Sequence, residues 1–126
     1  MRCLLAALVL VLFPLTAGAA SLKDFDGVWR FDVATTVAES SAAIDDDEKG
    51  FMEQSRLVFD VKAGTMLIQA PDEKDEPEKF TLREETREVV VIEKDGMVLQ
   101  LRPHGQGMAI GEMRDGKLRD VVYFKR

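Results

Sequence analysis

From Arg56 to the end of the chain, apolar residues recur at every second position, in short runs punctuated by tight-turn signals. Leu57, Phe59 and Val61 alternate with Val58 and Asp60. Met97, Leu99 and Leu101 alternate with Gln100 and Arg102, and Val121 and Tyr123 alternate with Val122 and Phe124. A period of two puts one set of side chains on each face of a strand, whereas a helix needs a period near 3.6. Lys62-Ala63-Gly64, Lys94-Asp95-Gly96, Pro103-His104-Gly105-Gln106-Gly107 and Asp115-Gly116 separate the runs. Asp-Gly between alternating runs is a strong hairpin signal, because both turn residues tolerate positive φ. More than half of the chain is thereby committed to antiparallel hairpins.

Upstream, Gly27-Val28-Trp29-Arg30-Phe31-Asp32 adds a first strand. Further strands follow at Thr65–Ala70, Phe80–Glu84, Glu88–Glu93 and Met108–Met113, the last with Gly111 as a bend or a close backbone approach. Val33 to Glu48 differs: it is rich in Ala and Ser, with Val33, Val37, Ala38 and Ser41 three to four apart. That spacing predicts one or two short helices, capped by Thr35 or Thr36 with Glu39 in support. Asp45-Asp46-Asp47-Glu48 would oppose the dipole at a helix C-terminus, so the helix is expected to stop before it. Gly50 strengthens that break and leaves Phe51 and Met52 as an isolated apolar pair. Pro71 to Lys79, with two prolines among charged residues, reads as a solvated loop. The expectation is an all-β domain: an antiparallel up-and-down β-barrel of about eight short strands, with a short helical insertion after the first. A two-sheet sandwich is the alternative. Barrel closure would remove exposed edges from a sheet rich in Val.

Residues 1–20 read as a signal peptide. Arg2 precedes an apolar run from Leu4 to Leu15, broken only by Pro14, and small residues follow to Ala20. The run is short for a bilayer span, so no stable membrane anchor is expected. Cleavage leaves residues 21–126, about 106 residues, enough for one domain with a modest core. Removing Arg2 leaves 16 basic residues against 23 acidic ones, a net charge near −7. That balance argues against nucleic acid, whose phosphates demand clustered cations. Cys3 is the sole cysteine and falls within the signal, so the mature domain carries neither a disulfide nor a thiol. An exported domain without disulfides points to a periplasmic or secreted location, with the bacterial periplasm the more usual.

No catalytic set emerges, and no cofactor or metal is expected. His104 is the only histidine and sits in a turn, where the ordinary role is solvent exposure. No spacing pairs it with Ser40, Ser41 or Ser55 for nucleophilic catalysis. Asp45 to Glu48 offers oxygen ligands suited to calcium but lacks the glycine and spaced glutamate of a calcium loop. Glu84 and Glu112 continue apolar strand faces and could oppose one another in a cleft, as sugar hydrolysis requires, though rim positions in solvent are the plainer reading. There is no glycine-rich phosphate loop. The apolar strand faces carry more information. Met66, Ile68, Phe80, Leu82, Met97, Leu99 and Met108 fall on faces expected to point inward. Flexible thioethers suit a cavity that admits varied apolar ligands, although they also fill irregular cores.

Gly27-Val28-Trp29, close to the start of the mature chain, resembles the Gly-x-Trp opening of the lipocalins and related calycins. The helix-prone stretch and the following ladder of hairpins are similar to small lipocalin-like domains of secreted bacterial proteins. The resemblance implies an antiparallel barrel whose base is closed by Trp29, with Gly27 allowing close approach. It also implies an arginine or lysine from the last strand stacked on that Trp, which Arg119, Lys125 or Arg126 could supply. The chain departs from that pattern in its short length, its lack of a disulfide and of a C-terminal helix, and the position of its helical insertion. The resemblance implies a non-enzymatic binder of a small apolar or amphipathic ligand, lined by the seven residues above, with Val33–Ala43 capping one end. The alternative is a periplasmic partner or inhibitor protein acting through the acidic segments 45–48 and 72–78.

Overall fold

Asp-Gly at 95–96 and 115–116 takes positive φ at both positions, 50° and 78° in one turn and 52° and 75° in the other. That conformation matches the twist of flanking strands, so these two turns lock the register of four strands. A computed structural model describes residues 21–126. The segment read as a signal peptide lies outside them. A 3-10 turn at Leu22–Phe25 leads into β1 (Gly27–Phe31), followed by α1 (Val33–Glu39) and α2 (Asp46–Gln54). The chain continues through β2 (Arg56–Asp60), β3 (Thr65–Gln69), β4 (Glu78–Lys79), β5 (Thr81–Glu85) and β6 (Val90–Lys94). It ends with β7 (Met97–His104), β8 (Gly107–Arg114) and β9 (Lys117–Lys125).

All nine strands join one antiparallel sheet in the order β4-β3-β2-β1-β9-β8-β7-β6-β5. The expected closed barrel is therefore wrong: the sheet has two ends. β4 pairs only with β3, through Thr65↔Lys79 and Met66↔Glu78, and β5 pairs only with β6. The physical reason lies in residues 71–77. Pro71 and Pro77 donate no ladder hydrogen bond, and the residues between them are charged. Leu67, Ile68 and Gln69 of β3 thus gain no outer partner. Only Phe80 separates β4 from β5, so the two ends of the order are neighbours along the chain. The Phe80 N–H donates to the Gly64 carbonyl at 3.0 Å, and its ring meets Phe59 edge-on at 5.8 Å. The sheet therefore curls, and a Lys94–Glu78 ion pair at 3.1 Å ties β6 to β4 across the opening.

The helices also differ from expectation. Asp32, rather than Thr35 or Thr36, caps α1, accepting from the Thr35 N–H at 3.1 Å and the Thr35 hydroxyl at 2.8 Å. Thr36 is buried and its hydroxyl accepts from the Tyr123 N–H at 3.0 Å. β1 leaves β9 after Phe31, and Thr36 satisfies the strand donor that β1 would otherwise have met. α1 consequently lies against β9, and Val33 and Ile44 pack on the core. α1 ends at Glu39, before the acidic run, as expected; that the run itself starts a second helix was not expected. Asp45 accepts from the Glu48 N–H at 2.8 Å, and Asp46, Asp47 and Glu48 occupy the first turn, where the dipole favours anions. Gly50 lies inside α2, and Met52 and Phe51 are parts of one helix, with Met52 buried and Phe51 exposed.

A single core cluster fills the curl, including Phe25, Trp29, Leu57, Phe59, Ile92, Leu101 and Met108. Phe31 and Phe124, opposite each other in the β1–β9 ladder, pack at 4.7 Å between ring centres.

Candidate functional site

The strand register sorts the inner side chains into layers. Met108 faces Phe124, Ile110 faces Val122 one step along, and Glu112 lies beyond, opposite Leu99. Met108 is fully buried, while the Ile110–Val122 layer and Leu99 border an apolar cavity of about 240 Å³. Strands from both arms of the curled sheet line it: Phe31, Leu57 and Met66 from one, Met97, Leu99 and Phe124 from the other. The cavity holds roughly eight water-sized groups at about 30 Å³ each. Its mouth lies at Ile68 and Met97, which are 42% and 37% exposed. Ile68 stands on the β3 edge that the proline-flanked segment leaves unpaired.

Met66, Ile68, Met97 and Leu99 are thus brought together. Phe80, Leu82 and Met108 are not. Phe80 packs on Phe59, Leu82 stands 44% exposed on the end strand β5, and Met108 lies in the layer beneath. Phe31, Leu57, Ile110, Val122 and Phe124 line the cavity as well and were missed. Their alternation was visible, but choosing the inner face of β9 requires its register with β1 and β8.

Charges gather at the mouth. Lys94, Glu112 and Asp120 border the cavity. Arg114 bridges two of these anions, with Nη2 at 2.7 Å from Asp120 and Nε at 3.4 Å from Glu112. Asp120 sits at a β-bulge opposite Gly111, with φ of 53°. Lys94 is the most enclosed of the charged groups, its side chain 17% exposed, with Glu78 as its ion-pair partner. The Glu78 carboxyl is held below its usual range by a hydrogen bond from Asp95 and by Lys94, and Asp95 is raised in turn by Glu78. Two carboxyls thus crowd one lysine.

The base of the curl is built around Trp29, which is 3% exposed and donates from Nε1 to the Phe25 carbonyl at 2.9 Å. Of the three cations proposed to stack on it, Arg126 does so, with its Cζ 3.8 Å from the ring centre. The guanidinium also donates to the Asp26 carbonyl at 2.8 Å and the Asp24 carbonyl at 3.0 Å. Gly27 has φ of 112°, and a Cβ there would stand 2.9 Å from Arg126 Nη1. The opening Gly-x-Trp thereby seats the last residue.

The remaining candidates do not converge. Glu84 on β5 and Glu112 on β8 are separated by two strands in the sheet order. His104 stacks on Tyr123 at 4.7 Å, outside the cavity. Among the described residues no cluster of three or more metal-ligating side chains is present. A larger concavity, about 500 Å³, lies between residues 39–42 and the β8–β9 hairpin, but its lining is predominantly polar. Among the described residues no helix is long and apolar enough to cross a membrane. Comparison with protein-family models, curated proteins and solved structures finds no match for this chain.

Proposed function

We propose that the protein is an exported, lipocalin-like domain that binds a small apolar or amphipathic molecule in the cavity inside its curled sheet. The observation that carries this reading is the cavity itself: an apolar lining from both arms of the sheet, opening at an unpaired edge. Exposed Ile68 and Met97 at the mouth support it, because exposed apolar side chains gathered beside a concavity favour a ligand. The acidic segments 45–48 and 72–78 give a surface partner less support. The first initiates α2, and the second presents only charged residues and proline. Export to the periplasm or beyond rests on the signal-like residues 1–20 and is tested by fractionating cells that express the full chain.

Ligand size follows from volume. About 240 Å³ accommodates a chain of about eight carbons, given that about 150 Å³ suffices for benzene. Each methylene buried contributes about 0.8 kcal/mol, so affinity rises about fourfold per carbon until the cavity is full. The experiment is a titration with linear alkanols of increasing length, repeated with Leu99→Trp to fill the cavity. Affinity that climbs and then levels near eight carbons, and falls at least about tenfold in the filled variant, supports the reading. Binding indifferent to chain length or to Leu99→Trp, while the variant keeps its fold, overturns it.

A further inference from the structure

The outer face of the sheet over β1, β2 and β3 carries a pattern that the cavity does not use. Val28, Val58 and Leu67 are register partners across the three strands. They alternate with Trp29, Leu57, Phe59 and Met66, which fill the core, and so stand on the opposite face. Val28 is 49% exposed, and Val58 and Leu67 are half-buried. The next row on that face is basic on one side: Arg30 beside Arg56, with Gln69 completing it. On the other side it is acidic: Asp60 beside Thr65, with Asp26 just before β1, where its carboxylate accepts from the Val61 N–H at 2.9 Å. Among the described residues, Asp26, Arg30, Arg56 and Asp60 take part in no ion pair. Arg30 donates to the Arg126 main-chain oxygen, and Asp60 accepts from the Ala63 N–H at 3.0 Å. Other charges flank the patch. Lys79 pairs with Thr65, Lys125 pairs with Arg30, Lys62 follows in the turn after Asp60, and Glu73 lies beside Arg56. Arg126 reaches the Asp26 carbonyl from its stack on Trp29.

We propose that this face takes a second copy of the same chain, related to the first by a two-fold axis lying along the Val28–Val58–Leu67 row. A two-fold interface presents the same patch from both copies. Rotation about that row sets each strand over its own counterpart, antiparallel, and reverses the order of the rows. The apolar rows then meet each other, Arg30 meets the partner's Asp26, and Arg56 meets the partner's Asp60. Symmetry repeats both contacts. Packed sheets commonly align their strands in this way. A two-fold axis along the strands would instead lay Arg30 and Arg56 on themselves, so the charges select one of the two aligned dimers. Lys79 on β4 and Lys125 on β9 lie on opposite flanks and stay outside the four pairs. The apolar row supplies the attraction, while the exposed pairs mainly set the orientation. The curl makes this face convex and confines contact to about three strands, less than a standard interface. The dimer is accordingly weak, with Kd on the order of 0.1 mM. The cavity plays no part in it.

The test is sedimentation equilibrium of the mature chain from about 10 μM to about 1 mM, where reversible dimerisation is expected. Val28→Lys puts like charges on the axis at a half-exposed position and should weaken the dimer at least about tenfold. Arg56→Asp sets acid against acid, and Asp60→Arg sets base against base, so each alone should weaken it about tenfold. An equimolar mixture of these two variants should regain the original affinity, because one copy then presents two acids and the other two arginines. Trp29 fluorescence checks that each variant keeps its fold. Asp60→Arg gives up the bond to Ala63, so Val28→Lys, which removes no hydrogen bond, carries the test independently. A chain that stays monomeric over the whole range overturns the proposal. So does a dimer indifferent to Val28→Lys, or a pair of folded charge variants that does not recover on mixing.

Discussion

Arg126→Ala should destabilise the domain by about 2–3 kcal/mol, although the side chain is largely exposed. The guanidinium lies 3.8 Å over Trp29, a stacking worth about 0.5–1 kcal/mol in a partly wet site. It also makes two hydrogen bonds to the carbonyls of Asp24 and Asp26, worth roughly 1 kcal/mol each once solvent competition is counted. These bonds tie the 3-10 turn at Leu22–Phe25 and the residue after it to the end of β9. Arg126→Lys keeps a charge over the ring but loses the planar fork that reaches both carbonyls, so about half the loss should remain. Urea unfolding followed by fluorescence suits the question, because Trp29 is the only tryptophan and reports the stack directly. For a domain of about this size, 2–3 kcal/mol corresponds to a fall in Tm of roughly 10 °C. A loss below about 0.5 kcal/mol in Arg126→Ala, with the urea slope unchanged, would refute the reasoning that this residue fastens the base.

Four further outcomes follow from local geometry. Gly50→Ala should stabilise by about 0.5–1 kcal/mol, since Gly50 is helical and a Cβ there meets nothing within 4 Å. Gly107→Ala should destabilise by about 3 kcal/mol, because the added Cβ would fall 2.1 Å from the Phe124 carbonyl oxygen; thermal melts of the pair should move in opposite directions. Asp45→Ala should remove the cap of α2 and cost about 1 kcal/mol in urea unfolding. Asp32 titrates below its usual range because Thr35 donates to it from both hydroxyl and backbone. Its contribution to stability is therefore full above the unfolded value of about 3.9 and is lost as pH falls through the lower folded value. Asp32→Asn should flatten the dependence of stability on pH below about 4, and an unchanged acid limb would count against that cap.

Hairpins were legible wherever the turn chemistry was local. Asp95-Gly96 and Asp115-Gly116 each needed only two residues to declare themselves, and period two did the rest. Closure was not legible, because it depends on which strands meet at the seam. Yet the reason it fails was present in the sequence: a segment carrying Pro71 and Pro77 could not give β3 a full outer neighbour. Reading that stretch as a loop while also closing the barrel was inconsistent. The two-residue strand Glu78–Lys79 was too short for any periodic signal. The stop of α1 before the acidic run was legible, whereas the start of α2 was missed because Asp45 to Glu48, unfavourable at a helix C-terminus, is favourable at an N-terminus. Only the cap bond to Glu48 settles which applies. In the site, Met66, Ile68, Met97 and Leu99 were reachable from alternation alone. Phe80 and Leu82 were misplaced because the β4–β5 step turns one toward Phe59 and leaves the other at the sheet's end. Val122 and Phe124 required the inner face of β9, which follows from tertiary register and not from local pattern.

The central claim is that the space inside the curled sheet takes up an apolar molecule. The methionines provide a direct measurement, because Met66 and Met97 line the cavity while Met52 and Met113 do not. Methyl NMR of protein labelled at the methionine methyl groups, titrated with octanol, should show saturable shifts at Met66 and Met97. The resonances of Met52 and Met113 should stay in place. Shifts spread evenly over the four, or none at Met66 and Met97 while the protein remains folded, would contradict the account.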